Sequence, residues 1–404
     1  MANVSSSNGL EKRPKLRFPG FDEPYRTITL GQIASLVNRT DPTSNAPIMM
    51  LSAGNGFIMQ SEKYSRDNAG QSLKKYILLK KGELAYNHGA SKAKQYGCCY
   101  ELTEDEARIP YVYHCFKVSD TEHTPYVATA LNNPKIDRQL KRLVSSSVRM
   151  DGLLNISFDD YMSVILHLPS LKEQAHIADF LKKLDERITA QDKLVASLKK
   201  YKRGLLHDVL SEKIKITTET WTEHRIGEFL HSKNIKQLPT TDAPLMAFTA
   251  TGGVCDKGER YDRGFLVKDA SSKLYKRTDL NDFIYSSNNL DVGSIGLNLY
   301  GSAVISDVYE IFSIKDADPW FISEAIKQKP IMCRILKYRQ GCLYGQYRIY
   351  AEDFLGVSVK IPSYEAQKKI GAVFSKIDGK ITQEQILLDC LEKARTFFLQ
   401  QLFI

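Results

Sequence analysis

The feature that most constrains this chain is a helical segment that occurs twice. Residues 168–189 read LPSLKEQAHIADFLKKLDERIT, and residues 361–382, which begin 193 positions later, read IPSYEAQKKIGAVFSKIDGKIT. Eight of these 22 positions are identical, and the alignment continues without a gap to Val209 and Leu402. A duplicated long helix predicts a molecule with two equivalent halves, and such a molecule suits a two-fold target.

Each copy carries an a/d heptad seam, with spacings that alternate between four and three residues. The first seam consists of Ile177, Leu181, Leu184, Ile188, Gln191, Val195, Leu198, Lys202, Leu205 and Val209, and the second of Ile370, Phe374, Ile377, Ile381, Glu384, Leu388, Leu391, Arg395, Phe398 and Leu402. Polar residues interrupt both seams at matching places. We therefore predict two helices that pair as a coiled coil through these positions. The alternative is two unrelated amphipathic helices on separate cores.

Three local features of these helices carry further expectations. A Pro-Ser pair precedes each one, so Ser170 and Ser363 are candidates to cap the first turn. In an antiparallel pair Lys202 and Arg395 lie near the amino-terminal end of the opposite helix, where the helix dipole disfavours cations. We expect their charged ends to reach solvent. Asp378 is expected to be a solvated face residue.

The rest of the chain is duplicated more faintly. Residues 25–33 are echoed by residues 221–229, and residues 76–87 by residues 275–286. Short β-branched and aromatic runs alternate with Gly, Asn and Asp turns in both halves, which predicts strand-rich α+β globules. The predicted boundaries are 1–165 for the first globule, 166–213 for the first helix, 214–358 for the second globule and 359–404 for the second helix. The fold class is thus α+β, with two pseudo-symmetric globules joined by two long helices.

Composition sets modest bounds on the function. The formal net charge of +9 permits nucleic acid as a partner without demanding it. An odd count of seven cysteines without metal-type spacing favours a reduced, cytoplasmic protein with no metal site. No apolar run approaches 18 residues, so we expect no membrane span.

Motifs of enzyme chemistry are missing from the sequence. There is no phosphate-binding GxxxxGK[ST] loop, and residues 133–135 read Asn-Pro-Lys where an adenine methyltransferase needs Asn-Pro-Pro-aromatic. His88 is the most tempting catalytic side chain, but no partner for it is identifiable, so we interpret it as a surface-loop histidine. The sequence therefore predicts a protein without catalytic residues.

The chain resembles the specificity subunit of a type I restriction–modification system. The resemblance is carried by PKLRFPGF at residues 14–21, by the following ITLGQI, and by the two helices that begin Pro-Ser-x-x-x-Gln. The family pattern usually has Glu before that Gln. Glu173 keeps it, whereas Ala366 departs from it, which puts in doubt a local cap or contact.

The resemblance implies a non-catalytic protein with two target-recognition domains, each reading one half of a split, asymmetric site in double-stranded DNA. It implies that the two helices pair as an antiparallel coiled coil, which spaces these domains and docks two modification (methyltransferase) subunits. Restriction (helicase–nuclease) subunits would join the same complex. The family's cofactors, S-adenosylmethionine, ATP and magnesium, belong to those partner subunits and none to this chain.

Paired polar segments at matching places are the candidates for DNA contact. Residues 87–97 correspond to 286–296, and residues 145–152 correspond to 337–348. Small residues let a backbone approach a groove, Lys contacts phosphate, and Asn can bond an adenine edge in two places. The predicted DNA-binding residues are Ser91, Lys92, Lys94, Arg149, Asn288, Asn289, Arg339, Gln340, Gln346 and Arg348. The alternative for each segment is an ordinary solvated loop.

Two other functions stay open from the sequence alone. A solitary DNA-modifying enzyme would need a cofactor or metal site that the sequence does not reveal. A coiled-coil scaffold without DNA binding would explain the helices but not two divergent globules. A methyltransferase and a helicase–nuclease encoded by neighbouring genes would favour the specificity-subunit interpretation.

Overall fold

The chain forms two compact units in the computed structural model. The structure describes residues 2–3, 13–63, 70–92, 94–144, 154–215, 218–250, 252–256, 273–288, 290, 294–343 and 346–404. Unit 1 comprises Met1–Gln191 with Leu387–Ile404, and unit 2 comprises Asp192–Ile386. Each unit therefore contains one globule together with part of each long helix.

The described residues of unit 1 form short antiparallel strands and four short helices. Its strands are β1 Ala2–Asn3, β2 Leu16–Arg17, β3 Arg26–Thr29, β4 Ala34–Leu36, β5 Met49–Ser52, β6 Gly56–Met59, β7 Ile77–Lys80, β8 Leu84–Asn87, β9 Cys98–Glu101, β10 Glu106–Ile109, β11 His114–Val118 and β12 Ile165–Leu168. Its short helices are α1 Gln60–Lys63, α2 Thr124–Leu131, α3 Pro134–Leu143 and α4 Phe158–Met162. A four-stranded sheet has the order β4-β11-β8-β9, and the remaining strands pair as β1–β2, β5–β6, β7–β10 and β3–β12.

Unit 2 repeats this arrangement. Its strands are β13 Thr222–Arg225, β14 Leu230–Ser232, β15 Lys236–Gln237, β16 Ala247–Thr249, β17 Gly253–Cys255, β18 Tyr275–Thr278, β19 Phe283–Ser286, β20 Ile295–Leu297, β21 Ala303–Ile305, β22 Tyr309–Ile314, β23 Gln340–Leu343, β24 Gln346–Arg348 and β25 Ser358–Ile361. Its short helices are α6 Pro319–Ile326, α7 Lys329–Ile335 and α8 Ala351–Leu355.

The two units share one topology. The sheet β14-β22-β19-β20 corresponds to β4-β11-β8-β9, β18–β21 corresponds to β7–β10, and β13–β25 corresponds to β3–β12. Strand β15 pairs with β18 in unit 2, and at the equivalent place the described residues of unit 1 form an isolated bridge between Thr40 and Ile77. The predicted α+β fold class and the predicted duplication of the globules are therefore confirmed.

Two equivalent glycines show why the faint repeat persists. Gly31 and Gly227 lie in one-turn 3-10 helices that follow β3 and β13. A Cβ atom at Gly31 would come within 3.3 Å of Met162, and one at Gly227 within 3.2 Å of Leu355 Cβ. These distances are tighter than ordinary van der Waals contact. Glycine thus lets each 3-10 turn pack against helix α4 or α8.

The long helices are α5 Leu171–Leu210 and α9 Tyr364–Gln401. Backbone bonds close their first turns, because Gln174 N donates to Ser170 O and Gln367 N donates to Ser363 O, both at 2.9 Å. None of the predicted seam positions is exposed in either helix. The seam ends pack into the cores of the units: Ile177 and Leu402 lie in the unit 1 core, and Val209 and Ile370 in the unit 2 core.

Contacts inside each unit show that the two helices run antiparallel. In unit 1 the Phe180 and Phe398 rings meet edge to face at 4.9 Å, and Asp185 pairs with Arg395. In unit 2 Lys199 Nζ lies 3.2 Å from Gln385 Oε1, and three residues further along Lys202 pairs with Asp378. In each unit the partner number on α9 falls as the residue number on α5 rises, as an antiparallel pair requires.

The glutamine of each Pro-Ser-x-x-x-Gln motif ties three elements together. Gln174 Nε2 donates to Pro169 O, and its Oε1 accepts from the backbone N–H of His123, the residue that precedes α2; both distances are 2.9 Å. Gln367 does the same in unit 2, with Pro362 O at 2.9 Å and the Asp318 N–H at 3.1 Å. Both glutamines are buried, so the motif is a structural joint between strand, long helix and short helix.

Candidate nucleic-acid interface

The structure brings the two candidate segments of unit 2 together. Ile349 N donates to Ser287 O at 2.9 Å, and the buried Tyr285 hydroxyl donates to Ile349 O at 3.1 Å. An antiparallel bridge joins Asn288 to Arg348. The end of β19 and the hairpin β23–β24, which are about fifty residues apart in sequence, therefore form one continuous polar surface.

Two cation–π contacts organise this hairpin. The Arg339 guanidinium lies 4.8 Å from the centre of the Tyr347 ring, and that of Arg348 lies 5.1 Å from the centre of the Tyr350 ring. Arg339 Nε also donates to Leu336 O at 3.0 Å. Stacking on a ring face fixes a guanidinium plane while leaving its edge available to a ligand. Gln340 is also held, because its Nε2 donates to Asp353 Oδ2 at 2.7 Å.

Glu310 and Lys276 connect Arg348 of this surface to the underlying strands, and no local pattern in the sequence marks either residue. Arg348 Nη2 donates to Glu310 Oε1 at 3.2 Å, and Lys276 Nζ lies 3.0 Å from Glu310 Oε2 and 2.8 Å from Tyr309 O. Glu310 lies on β22 and Lys276 on β18, so residues far apart in the sequence meet at one carboxylate. Only the strand pairing puts them there.

In unit 1 the equivalent loop is anchored by His88. Leu154 N donates to His88 O at 2.9 Å, which matches the bond from Ile349 to Ser287 in unit 2. The His88 ring is buried, with Nδ1 2.9 Å from Leu154 O and Nε2 2.9 Å from Val112 O. The interpretation of His88 as a surface-loop residue is therefore wrong, because both ring nitrogens are used to fix the base of the loop.

Three predicted DNA-binding residues of unit 1, Ser91, Lys92 and Lys94, differ in their surroundings. Ser91 Oγ accepts from Lys94 N at 3.1 Å and so closes a tight turn. Lys94 Nζ donates to Asn132 O at 2.9 Å, at the carboxyl end of α2, so its cation already stabilises that helix end. Lys92 is exposed. Of the two lysines, Lys92 is therefore the better placed to meet a phosphate.

Gly97 is required where this loop rejoins the sheet. Its φ of +84° favours glycine, and a Cβ atom there would overlap the carbonyl oxygen of Asn87. The Tyr86 hydroxyl donates to Tyr96 O at 2.5 Å across the same turn. The loop is thus closed tightly at its base while Ser91 and Lys92 are exposed.

The equivalent ladder positions of the two units carry different chemistry. His114 stands opposite Tyr86 in unit 1, and Glu310 stands opposite Tyr285 in unit 2. His114 Nε2 lies 2.9 Å from Ile156 O, and burial lowers the pKa of His114. A glutamate in one unit and a histidine of lowered pKa in the other give the two surfaces different electrostatics on one scaffold.

Some predicted residues lie outside the described part of the chain. Arg149 and Asn289 are not among the described residues, and neither is the side chain of Gln346, although its backbone belongs to β24. Among the residues that the structure describes, no group of three or more His, Cys, Asp or Glu side chains could hold a metal ion. Within the same described ranges, no helix has the length and apolar character needed to cross a membrane.

Two of the polar residues in the helix seam, Lys202 and Arg395, form matched ion pairs. Lys202 Nζ lies 2.8 Å from Asp378 Oδ2 and 3.3 Å from Glu324 Oε1 on α6. Arg395, its repeat equivalent, pairs with Asp185, the repeat equivalent of Asp378. The Asp185 hydrogen bond raises the pKa of Arg395.

These pairs correct two expectations. The Lys202 side chain is only 17% exposed and that of Asp378 only 26%, so Lys202 does not reach solvent and Asp378 is not a solvated face residue. The carboxylate of the opposite helix offsets the unfavourable helix dipole, which the periodicity alone could not reveal.

A buried cluster connects the RFPGF segment to α5. Arg17 and Glu173 form a bidentate pair at 2.8 and 2.7 Å, and the Tyr25 hydroxyl lies 3.3 Å from Glu173 Oε1. Burial and the Glu173 charge raise the pKa of Tyr25, and the hydrogen bond and charge of Glu173 raise the pKa of Arg17 although burial alone would lower it. Phe18 packs edge to face on His176 at 4.5 Å. The motif residues that carried the resemblance therefore contact one another.

Comparisons with known proteins give a likeness of fold. No protein-family model matches the sequence, and no curated protein matches it. The type I restriction–modification system S subunit from M. genitalium aligns with 97% of this chain and 99% of its own, at 16% identity and a TM-score of 0.62. The HsdS subunit from Thermoanaerobacter tengcongensis aligns with 97% of this chain and 98% of its own, at 15% identity and a TM-score of 0.45. The M. genitalium comparison shows that this chain has the fold of a type I S subunit along nearly its whole length.

Proposed function

We propose that this chain is the non-catalytic, sequence-specific DNA-recognition subunit of a type I restriction–modification complex in the cytoplasm. Each unit reads one half of a bipartite site in double-stranded DNA. Two modification subunits, which bind S-adenosylmethionine, dock on the chain, and restriction subunits with ATP and magnesium join them. The observation that carries the proposal is the fold shared with an S subunit over 97% of this chain.

The two units share a scaffold but differ in their exposed polar surfaces, and this difference supports two separate DNA specificities. Framework residues recur between the units, including Gly31 with Gly227 and Gln174 with Gln367. The polar surfaces differ, since unit 1 presents Ser91 and Lys92 whereas unit 2 presents arginines stacked on tyrosines. A scaffold that repeats while its exposed loops change is suited to two independent half-sites.

Exposed apolar residues on the long helices support docking of two copies of one partner. Leu171 and its repeat equivalent Tyr364 are exposed, as are Leu194 and its equivalent Leu387. A single exposed apolar side chain needs no explanation, but recurrence at equivalent positions gives each helix the same contact points. Two identical subunits would then bind two equivalent surfaces.

The test is to exchange one globule and map adenine methylation. Cells would express the chain with the methyltransferase subunits encoded beside it, and residues 214–358 would be replaced by the matching residues of a relative with a different target. We expect one half of the methylated sequence to change and the other half to stay, because each unit reads its own half-site.

Two controls accompany this exchange. Replacing residues 1–165 should change the opposite half of the motif, and the chain without methyltransferase subunits should leave DNA unmethylated. The modular interpretation is wrong if either exchange alters both halves. The proposed function itself is wrong if the intact chain and its partners methylate no bipartite motif.

A further inference from the structure

Arg348 has surroundings that differ from those of an ordinary surface cation. One side of its guanidinium is held by Glu310 Oε1 at 3.2 Å, and the Tyr350 ring lies 5.1 Å from it. The side chain is nevertheless 47% exposed. Its conformation is thus restrained while about half of its surface faces outward.

The restraint on Arg348 is itself anchored in the fold. The other oxygen of Glu310 lies 3.0 Å from Lys276 Nζ, and that ammonium also donates to Tyr309 O at 2.8 Å. Lys276 is buried and sits in the middle of a three-stranded sheet. Each carboxylate oxygen of Glu310 therefore contacts one cation, and moving the carboxylate away would take this counter-charge from the buried Lys276.

A fixed guanidinium beside a carboxylate suits a base better than a phosphate. A phosphate contact depends on net charge and tolerates a mobile cation, whereas Glu310 partly neutralises Arg348 and would repel a phosphate. Bidentate hydrogen bonding to O6 and N7 of guanine depends on the geometry of the planar guanidinium and does not require a net positive charge. Arg339 stacks on Tyr347 and forms no ion pair among the described residues, so it is the natural phosphate-contacting counterpart.

We propose that Arg348 reads a guanine in the major groove of the half-site bound by unit 2, and that Glu310 is its positioning residue. This inference rests on the proposed function. Unit 1 has no equivalent device within its described residues, because His114 occupies the ladder position of Glu310. The guanine requirement should therefore belong to one half-site only.

The experiment measures binding of the chain, assembled with its methyltransferase subunits, to duplexes that carry its methylated motif. Each guanine of the unit 2 half-site is replaced in turn by 7-deazaguanine, which lacks the N7 acceptor. Loss of a guanine bond should weaken binding of the unmodified protein at one position by roughly 5- to 150-fold. Arg348→Gln should bind both duplexes within about twofold of each other, since the group that senses N7 is gone.

Two further variants separate positioning and phosphate roles. Glu310→Gln keeps the Arg348 side chain but should lose most of the discrimination between guanine and 7-deazaguanine. Methylation mapping of this variant should show that one base pair of the unit 2 half-site is no longer required, while the unit 1 half stays unchanged. Arg339→Gln is the matched control. It should weaken binding to every duplex alike, keep the discrimination, and lower the salt dependence by about one unit of slope.

The outcomes distinguish this inference from the proposed function. The inference is overturned if Arg348→Gln weakens all duplexes equally and retains discrimination, or if the unit 2 half-site contains no G·C pair. It also fails in its second part if Glu310→Gln discriminates as well as the unmodified protein. Absence of any bipartite motif with the intact chain would instead overturn the proposed function.

Discussion

The ion pair between Lys202 and Asp378 gives a quantitative test of how the helix pair is held. The two side chains are 2.8 Å apart and mostly buried, and Glu324 lies 3.3 Å from the same ammonium. Hydrogen bonds between charged groups contribute about 1.5–3 kcal/mol when they are this shielded. We therefore expect a coupling free energy of about 1.5–3 kcal/mol between Lys202 and Asp378 in a double-mutant cycle with Lys202→Met and Asp378→Asn.

The chain offers a matched control on the same helix. Lys368 and Glu365 form an ion pair at 3.4 Å in the first turn of α9, but their side chains are 51% and 73% exposed. Exposed pairs at this spacing are worth at most about 0.5 kcal/mol. The corresponding cycle, Lys368→Met with Glu365→Gln, should therefore give a coupling several times smaller.

Both cycles can be measured by urea unfolding followed by tryptophan fluorescence. The only two tryptophans in the sequence, Trp221 and Trp320, lie in unit 2, as do both ion pairs, so the signal reports the relevant unit. A loss of 2 kcal/mol at a slope of roughly 2 kcal/mol/M moves the midpoint by about 1 M. Equal coupling in the two cycles would refute the argument, because burial would then add nothing to the Lys202 pair.

Three further substitutions test packing along α9 and at the start of α5. Gly371→Ala should destabilise unit 2 by about 1–3 kcal/mol in the fluorescence assay, because the new methyl group would overlap Asp318, whose side chain caps α6 at 2.8 Å. On the same helix, a Cβ atom at Gly379 meets nothing within 4 Å, so Gly379→Ala should instead stabilise the helix by about 0.5–1 kcal/mol. Changes in unfolding free energy of the same sign for the two variants would contradict this packing. Glu173→Gln should cost unit 1 about 3–5 kcal/mol, seen as faster hydrogen exchange in β3 and β12, because the buried Arg17 loses its counter-charge; unchanged exchange would disprove a stabilising role for the pair.

Periodicity predicted the long helices well because their burial follows a simple repeat. The seam positions, the Pro-Ser starts and the duplicated topology all follow from local spacing. Periodicity could not say where a polar seam residue would point, since a lysine can either reach solvent or pair across the helices. The repeat did carry a signal for pairing across the helices. Asp185 and Asp378 are among its eight identities, and Lys202 follows Asp185 at the same distance as Arg395 follows Asp378.

The candidate interface was predictable only as segments. Matching positions in the two halves identified the loops, and the structure joins the two of unit 2 through Ser287 and Ile349. The residues that give this surface its chemistry, Glu310 and Lys276, come from strands whose pairing no local pattern encodes. Partners far apart in sequence depend on tertiary placement, so a single sequence gives little information about them.

Unit 2 has Ala366 where unit 1 has Glu173, and this difference is compensated elsewhere in the chain. In unit 1 the buried Glu173 is matched by Arg17 and by the hydroxyl of Tyr25. The strand register makes Trp221 the equivalent of Tyr25, because Arg26 pairs with Leu168 as Thr222 pairs with Ile361.

Unit 2 therefore replaces a hydroxyl and a carboxylate by an indole and a methyl group. Trp221 packs edge to face on Phe321 at 5.6 Å, and Ala366 is buried. Exchanging a buried ionic cluster for apolar packing is often neutral in stability, whereas changing one member alone would bury an unpaired charge. Alanine at this helix start, where unit 1 has Glu173, thus belongs to a coordinated difference between the units, and the joint made by Gln367 stays intact.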